Sequence, residues 1–405
     1  MLSPLAVDGG IPVRPTPMPP WPSPSEAQIA AVEAVLRSRN INYWTGDQGR
    51  TLEREYAAYL GVAHAVAVAN GTLALELALR ALEIGPGDEV IVPARSFIAT
   101  ASCVVAVGAT PVIADIDPDS SNLTAETIAA VLTGRTAAVI AVHLGGWPVE
   151  MQPLVDLAAE RGFRIIEDCA QAHGATYRGK PVGSFGDVSC FSFCQDKIIA
   201  AGEGGLVTMN DDALCTRAWE FKDHGKSLAK LSDPAFMGVA SSFKWLHDSF
   251  GSNYRMPELE AAMALVGLRE LSEAHARRSE LAHLLADGLA GVRGIRVPRT
   301  PAHSTHAFYR QYGYVVPEAL APGWDRDRIL SALDAEGVAV RYGSCAELYR
   351  EQAFVDAGLG LAHRLPHAAA VHETSMAFFV HPTLTDTDIA DVVSAVRKVM
   401  AVAAE

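Results

Sequence analysis

Positive charge is scarce in this chain. Its 33 Lys and Arg are outnumbered by 47 Asp and Glu, a net charge of -14 at pH 7. That balance argues against nucleic acid or an anionic membrane as the main partner. A phosphorylated ligand would have to be held by local donors instead. Cysteine is also sparse: six residues, with no disulfide-framework spacing and several inside apolar runs. Reduced thiols in a cytoplasmic protein are expected. Cys190 and Cys194 have C-x3-C spacing, but no second Cys/His pair lies nearby, so no metal site is predicted. The chain has no G-x-G-x-x-G and no G-x-x-x-x-G-K-[ST], which leaves dinucleotide-fold and P-loop readings without support. MLSPLAVDGGIPVRP at the start has neither a basic n-region nor an apolar h-region, so no signal peptide is predicted. The longest uncharged stretch, Ser96 to Ala114, is broken by Gly108 and Pro111. It reads as a helix and a buried strand rather than a membrane span.

What is present is a long alternation of short apolar runs and helical patterns. Residues 1–24 are Pro-rich and predict an extended arm. Helices are expected from Ser25 to Arg39 and through Leu52 to Tyr59. Strands at 64–70, 88–94, 110–116, 137–144 and RIIED are separated by helices at 71–82, from Phe97, near 124–133 and at 151–161. SCFSF and GLVTM follow as strands. Such β-α-β alternation with wholly apolar strands predicts a mostly parallel sheet buried on both faces. Near 257–290 two long helices are expected, and a domain boundary lies in or just after them. The division predicted is an arm (1–24), a large domain (25–290) and a smaller α+β domain (291–405), closing in a helix at 386–403 with a Thr/Asp cap.

The chemistry concentrates at predicted strand ends. Lys197 follows the apolar run CFSFC and precedes the Gly-rich AAGEGG, while Asp168 ends the run RIIED. The carboxyl edge of a parallel sheet is where open α/β folds bind ligands. A lysine there can condense with an aldehyde and an acid can pair with a pyridinium nitrogen, the two demands of pyridoxal 5'-phosphate (PLP). Asn70-Gly71-Thr72 lies between a strand and a helix start, where free N–H groups and the helix dipole suit a phosphate. Taken alone, Thr72 reads as an ordinary cap. Phe97 could stack on a flat ring, although an isolated aromatic is more often core. Gln171 and His173 follow Asp168, and Ser192 sits five residues before Lys197.

ANGTLALELAL, DEVIVPARSFIATA, IEDCAQAHGA, FSFCQDKIIAAGEGG and GSNYRMPELEAA together resemble the successive motifs of the DegT/DnrJ/EryC1/StrS aminotransferases. The resemblance runs from about residue 20 to the C-terminal helix. It implies PLP-dependent transferase fold type I, aspartate-aminotransferase-like, with a mostly parallel central sheet and a smaller C-terminal α+β domain. It also implies transfer of an amino group from Glu or Gln to a keto-sugar, with pyridoxamine 5'-phosphate as the intermediate cofactor form. By the same resemblance Lys197 is the Schiff-base lysine and Asp168 the partner of the pyridine nitrogen. Gln171 lies beside the ring hydroxyl, Phe97 stacks on the ring, and Gly71, Thr72 and Ser192 cradle the phosphate. Asn253 matches a residue sent into the neighbouring subunit's phosphate site, which implies a homodimer with shared sites. Two departures fall where substrates bind: Cys194-Gln195-Asp196 before the lysine, where many relatives have His-Pro or Tyr-Pro, and Gly46-Asp47 in place of Gly-Pro.

The expected substrate is a nucleotide-linked keto-deoxysugar. Lys222, Lys226, Lys244 and Arg255, with Arg310 and Arg341 further on, are candidates for its diphosphate. A keto-cyclitol of the inosose type would need none of them and is the alternative. A PLP-dependent sugar dehydratase would replace the lysine by His, and a non-catalytic relative would lose the lysine or the acid; both residues are present.

Overall fold

The computed structural model describes residues 4–237 and 244–404. The chain first makes two helices, α1 (Glu26–Ser38) and α2 (Gln48–Leu60). Ser25 caps α1 in a reciprocal capping box with Gln28. The alternation then follows: β1 (His64–Val68), α3 (Gly71–Ala81), β2 (Glu89–Pro93), α4 (Ala99–Ala106), β3 (Thr110–Ala114), α5 (Ala125–Ala129), β4 (Thr136–Val142), α6 (Met151–Arg161) and β5 (Arg164–Asp168). After a small hairpin, β6 (Thr176–Tyr177) and β7 (Lys180–Pro181), come β8 (Val188–Ser192), β9 (Gly205–Met209) and α7 (Asp212–Lys222). Two short helices, α8 (Leu228–Ser232) and α9 (Pro234–Met237), lead toward α10 (Glu258–Leu289).

The large sheet has the order β1-β9-β8-β5-β4-β2-β3. Only β9 runs against the others, pairing antiparallel with both β1 and β8. Every residue of β2, β8 and β9 is buried, because helices cover both faces. The carboxyl ends of β1, β2, β4, β5 and β8 therefore meet along one edge. Where two helices were expected at 257–290, the chain forms one helix of 32 residues. The link between them, SEAH, contains no Gly or Pro to break it.

Beyond α10 a second sheet forms from β10 (Ile295–Arg296), β12 (Arg310–Val315), β13 (Val340–Arg341) and β14 (Ser375–Phe379), while β11 (Ser304–Thr305) joins the β6–β7 hairpin. Helices α11 (Arg326–Ala335) and α14 (Asp386–Ala403) pack on this sheet around Leu333, Phe378 and Val399, and α12 (Gln352–Asp356) and α13 (Pro366–Thr374) complete the region. Thr385 caps α14 in a box with Asp388. The acid following β3, Asp115, is spent on the start of α13, accepting from the N–H groups of His367 and Ala368. The N-terminal arm is irregular apart from one short turn, and it is docked. Glu336 accepts from the N–H groups of Ala6 and Val13, and Arg14 pairs with Asp388 at 2.6 Å. Among the described residues no helix is long and apolar enough to cross a membrane.

Candidate active site

The sheet edge opens on a cavity of about 840 Å³. Gly71, Thr72, Phe97, Asp168, Gln171, Ser192 and Lys197 all line it, although they are scattered over more than a hundred residues of sequence. Asn253 does not. It is exposed, outside the cavity of its own chain, with its backbone bridged to Asp223.

Asp168 is the last residue of β5 and is 6 % exposed. The Ala170 N–H donates to Oδ1 at 3.2 Å and the Thr100 hydroxyl to Oδ2 at 3.0 Å. Burial pushes this carboxyl above its ordinary range, against the pull of those two donors and of the Lys197 charge. Among the described residues Asp168 forms no ion pair. A buried acid facing a cavity, with no cation in contact with it, fits a ligand bearing a protonated ring nitrogen.

The end of the cavity at the start of α3 is built by backbone. Asn70, not Thr72, caps α3, accepting from the Leu73 N–H at 2.9 Å. The N–H groups of Gly71 and Thr72 find no acceptor among the described residues, and the Thr72 hydroxyl has no hydrogen-bond partner there. A Cβ on Gly71 would stand 2.7 Å from the Ser192 Cβ. Glycine is therefore required for the helix start to approach the end of β8. His173 holds that end: its Nε2–H donates to the Ser192 carbonyl at 2.8 Å, and its Nδ1 accepts from the Tyr56 hydroxyl at 2.7 Å. Phe97 is 66 % exposed, so it belongs to the cavity wall and not to the core. Gln171 is fixed by the Gly145 N–H, which donates to its Oε1 at 2.7 Å.

Lys197 lies on a turn five residues past β8, and its N–H donates to the Cys194 carbonyl at 2.9 Å. Its Nζ is 3.4 Å from the Tyr309 hydroxyl and 3.3 Å from Asp196 Oδ1. Burial opposes the ammonium charge, but Tyr309 and Asp196 outweigh it, leaving the pKa above the ordinary lysine value. Tyr309 and Thr100 escaped the motif reading. Thr100 lies one turn beyond Phe97, while Tyr309 stands in HAFYRQYGY, a run with no distinguishing pattern.

The basic cluster expected at 222–255 is not a free anion site. Lys222 is fully buried against Glu53 at 3.3 Å and over the Tyr43 ring at 4.0 Å. Lys226 and Arg255 both pair with buried Asp223 at 2.8 Å, and Lys244 bonds the Phe236 carbonyl. Arg310 and Arg341 do reach the cavity. At the Gly46-Asp47 departure, Glu258 lies against the start of α2 and accepts from the Gly49 N–H at 3.1 Å. His143, Glu167 and Cys169 are close enough together to hold a metal. Glu167, however, already accepts from three backbone N–H groups, the Ser189 hydroxyl and His143. That group is a hydrogen-bonded brace beneath the sheet edge.

The model of the DegT/DnrJ/EryC1/StrS aminotransferase family matches residues 22–397. The chain belongs to this family. It is an aminotransferase of a PLP-dependent group, and its fold is type I. The chain is 38 % identical to UDP-N-acetyl-3-dehydro-alpha-D-glucosamine 3-aminotransferase of Acidithiobacillus ferrooxidans, over 89 % of this chain and 91 % of that one. It is equally 38 % identical to L-glutamine:2-deoxy-scyllo-inosose aminotransferase of Streptoalloteichus tenebrarius, over 82 % and 78 %. An aminotransferase structure from Psychrobacter cryohalolentis superposes with a TM-score of 0.92 at 45 % identity, covering 95 % of this chain and 99 % of that one.

Proposed function

We propose that this aminotransferase moves an amino group from Glu or Gln to a nucleotide-linked keto-deoxysugar, with PLP held by Lys197. The observation that carries the reading is the convergence on one cavity of the Lys197 amine, the buried Asp168 carboxylate and the open N-terminus of α3. When bound, PLP supplies an aldehyde for amino groups and a ring that withdraws electrons. Asp168 would face the ring nitrogen, Phe97 a ring face and Gln171 the ring hydroxyl. Gly71, Thr72 and Ser192 would hold the phosphate. The Lys197 amine, once free and neutral, takes the proton from the donor's α-carbon and returns one during amination of the sugar. Asn253 would complete the phosphate site of a second copy, and the chain would divide into its two domains near residue 290.

Arg310 and Arg341 line the cavity and are the cations nearest an anionic acceptor, although Arg310 also lies 3.5 Å from Asp196 and Arg341 3.2 Å from Asp334. The internal pairing of Lys222, Lys226 and Arg255 favours a second reading, a keto-cyclitol without a diphosphate, and the inosose aminotransferase relative is consistent with it. Purified protein should be yellow, and borohydride should fix the cofactor on Lys197, as peptide mapping would show. A protein that gains no visible band with added PLP overturns the reading. Keto-sugars, with and without a nucleotide, offered to the pyridoxamine form and followed by absorbance, decide between the two substrates.

A further inference from the structure

The turn before Lys197 carries a carboxylate that the mechanism above does not use. Asp196 is about half exposed, yet both its oxygens are engaged. Oδ1 lies 3.3 Å from Lys197 Nζ, while Oδ2 accepts from the Tyr309 hydroxyl and lies 3.5 Å from Arg310 Nη2. The frame around it is stiff. Arg310 stacks over the Tyr309 ring at 4.1 Å and the Phe379 ring at 4.5 Å. From the arm, the Trp21 indole N–H donates to the Lys197 carbonyl at 3.2 Å, so the turn is clamped from a third side.

The reading of Lys197 as the cofactor's lysine, on which this inference rests, requires its amine to leave the cofactor in the donor half-reaction and to return to it only at the end of the acceptor half-reaction. A free ammonium on four methylenes has many rotamers open to it. We infer that Asp196 is a positioning residue: its carboxylate, shared with the Tyr309 hydroxyl, holds the Lys197 amine whenever that amine is not bonded to the cofactor. The groups facing the amine are Asp196 on its own turn, Tyr309 just ahead of β12 and Arg310 at its start, Asp168 at the end of β5, and His173, neutral in its buried place. Asp196 is the closest anion among them, and the raised lysine pKa agrees with the geometry.

Removing the charge must make the amine easier to deprotonate. Cofactor-free protein is treated with a limiting acylating reagent across a pH series, and the Lys197 peptide is quantified by mass spectrometry. In Asp196→Asn the midpoint of labelling should fall by about one pH unit, the low end for an opposite charge in contact. Asp196→Ser, smaller and equally uncharged, should move it the same way, while Asp196→Glu should restore it. In the loaded enzyme the low-pH limb of kcat should move down with the midpoint, leaving KM for the donor little changed. An unchanged midpoint in folded Asn and Ser variants overturns the inference. The labelling needs no cofactor, so failure of PLP to bind at Lys197 would count against the proposed function and be read separately.

Discussion

Asp168 shows how much one residue can be asked to do. It is buried, pushed toward protonation by that burial, and held by only two neutral donors. A cationic ring nitrogen would reverse the push, because an opposite charge favours the ionised acid. Asp168→Asn keeps the shape and can still bond Thr100, but it cannot supply charge. The variant should retain much of its PLP while turnover falls on the order of a hundredfold or more, measured as single-turnover loss of the visible band with donor. Near-normal turnover would refute the role. Lys197 and Asp168 were legible in the sequence because each follows an apolar run long enough to be a strand. Tyr309 was not, since nothing in its neighbourhood distinguishes a cavity-facing aromatic from a core one. The lysines of 222–255 were misleading for a different reason. Counting charges along the chain cannot reveal that Glu53 pairs with Lys222 and that Asp223 pairs with Lys226 and Arg255.

Elements were read best where burial is complete. All strands of the large sheet were legible as apolar runs, and its parallel order follows from the helices between them. The two-residue strands β6, β7 and β11 are too short for any period to show. The continuity of α10 is not legible as such, because the polar SEAH between its two apolar stretches reads equally as a link or as an exposed turn of one helix. Contacts between elements lie further beyond reach, and His173 is one with a measurable consequence. It joins α2, through Tyr56, to the end of β8, and burial drops its pKa from 6.5 to about 4. Between those values the unfolded chain takes up a proton that the folded chain refuses. Stability is therefore full above pH 6.5 and declines as pH falls toward 4, by on the order of 3 kcal/mol from this group alone. His306, lowered to about 3 by burial, acts in the same direction. The melting temperature should drop across this window, and His173→Gln, which cannot titrate, should show a shallower decline. An equal slope in the two proteins would exclude His173 as a source of the acid sensitivity.

At the scale of the whole molecule, one residue expected in the site lies outside the cavity of its own chain. Asn253 lies on the exposed segment ahead of α10, beyond the cavity that gathers the other seven. The same segment leaves Phe250 fully exposed and Trp245 75 % exposed. Exposed large aromatics near one another are a candidate surface for a protein contact. A two-fold dimer would cover them and carry each Asn253 to the other chain's phosphate cradle, building both sites with one self-complementary contact. Mixing two impaired variants tests this. If Asn253 acts in trans, a dimer of one Lys197→Ala chain and one Asn253→Ala chain has one site with both lesions and one with neither. Activity should then return to about a quarter of normal for random pairing of equal amounts, half the dimers being mixed and each having one good site. If Asn253 acts in cis, every site in the mixed dimer carries one lesion and nothing returns. Each variant must be folded and dimeric on its own, and subunit exchange is checked with a tagged chain. Exchange without recovered activity would assign Asn253 to its own chain or to no site at all.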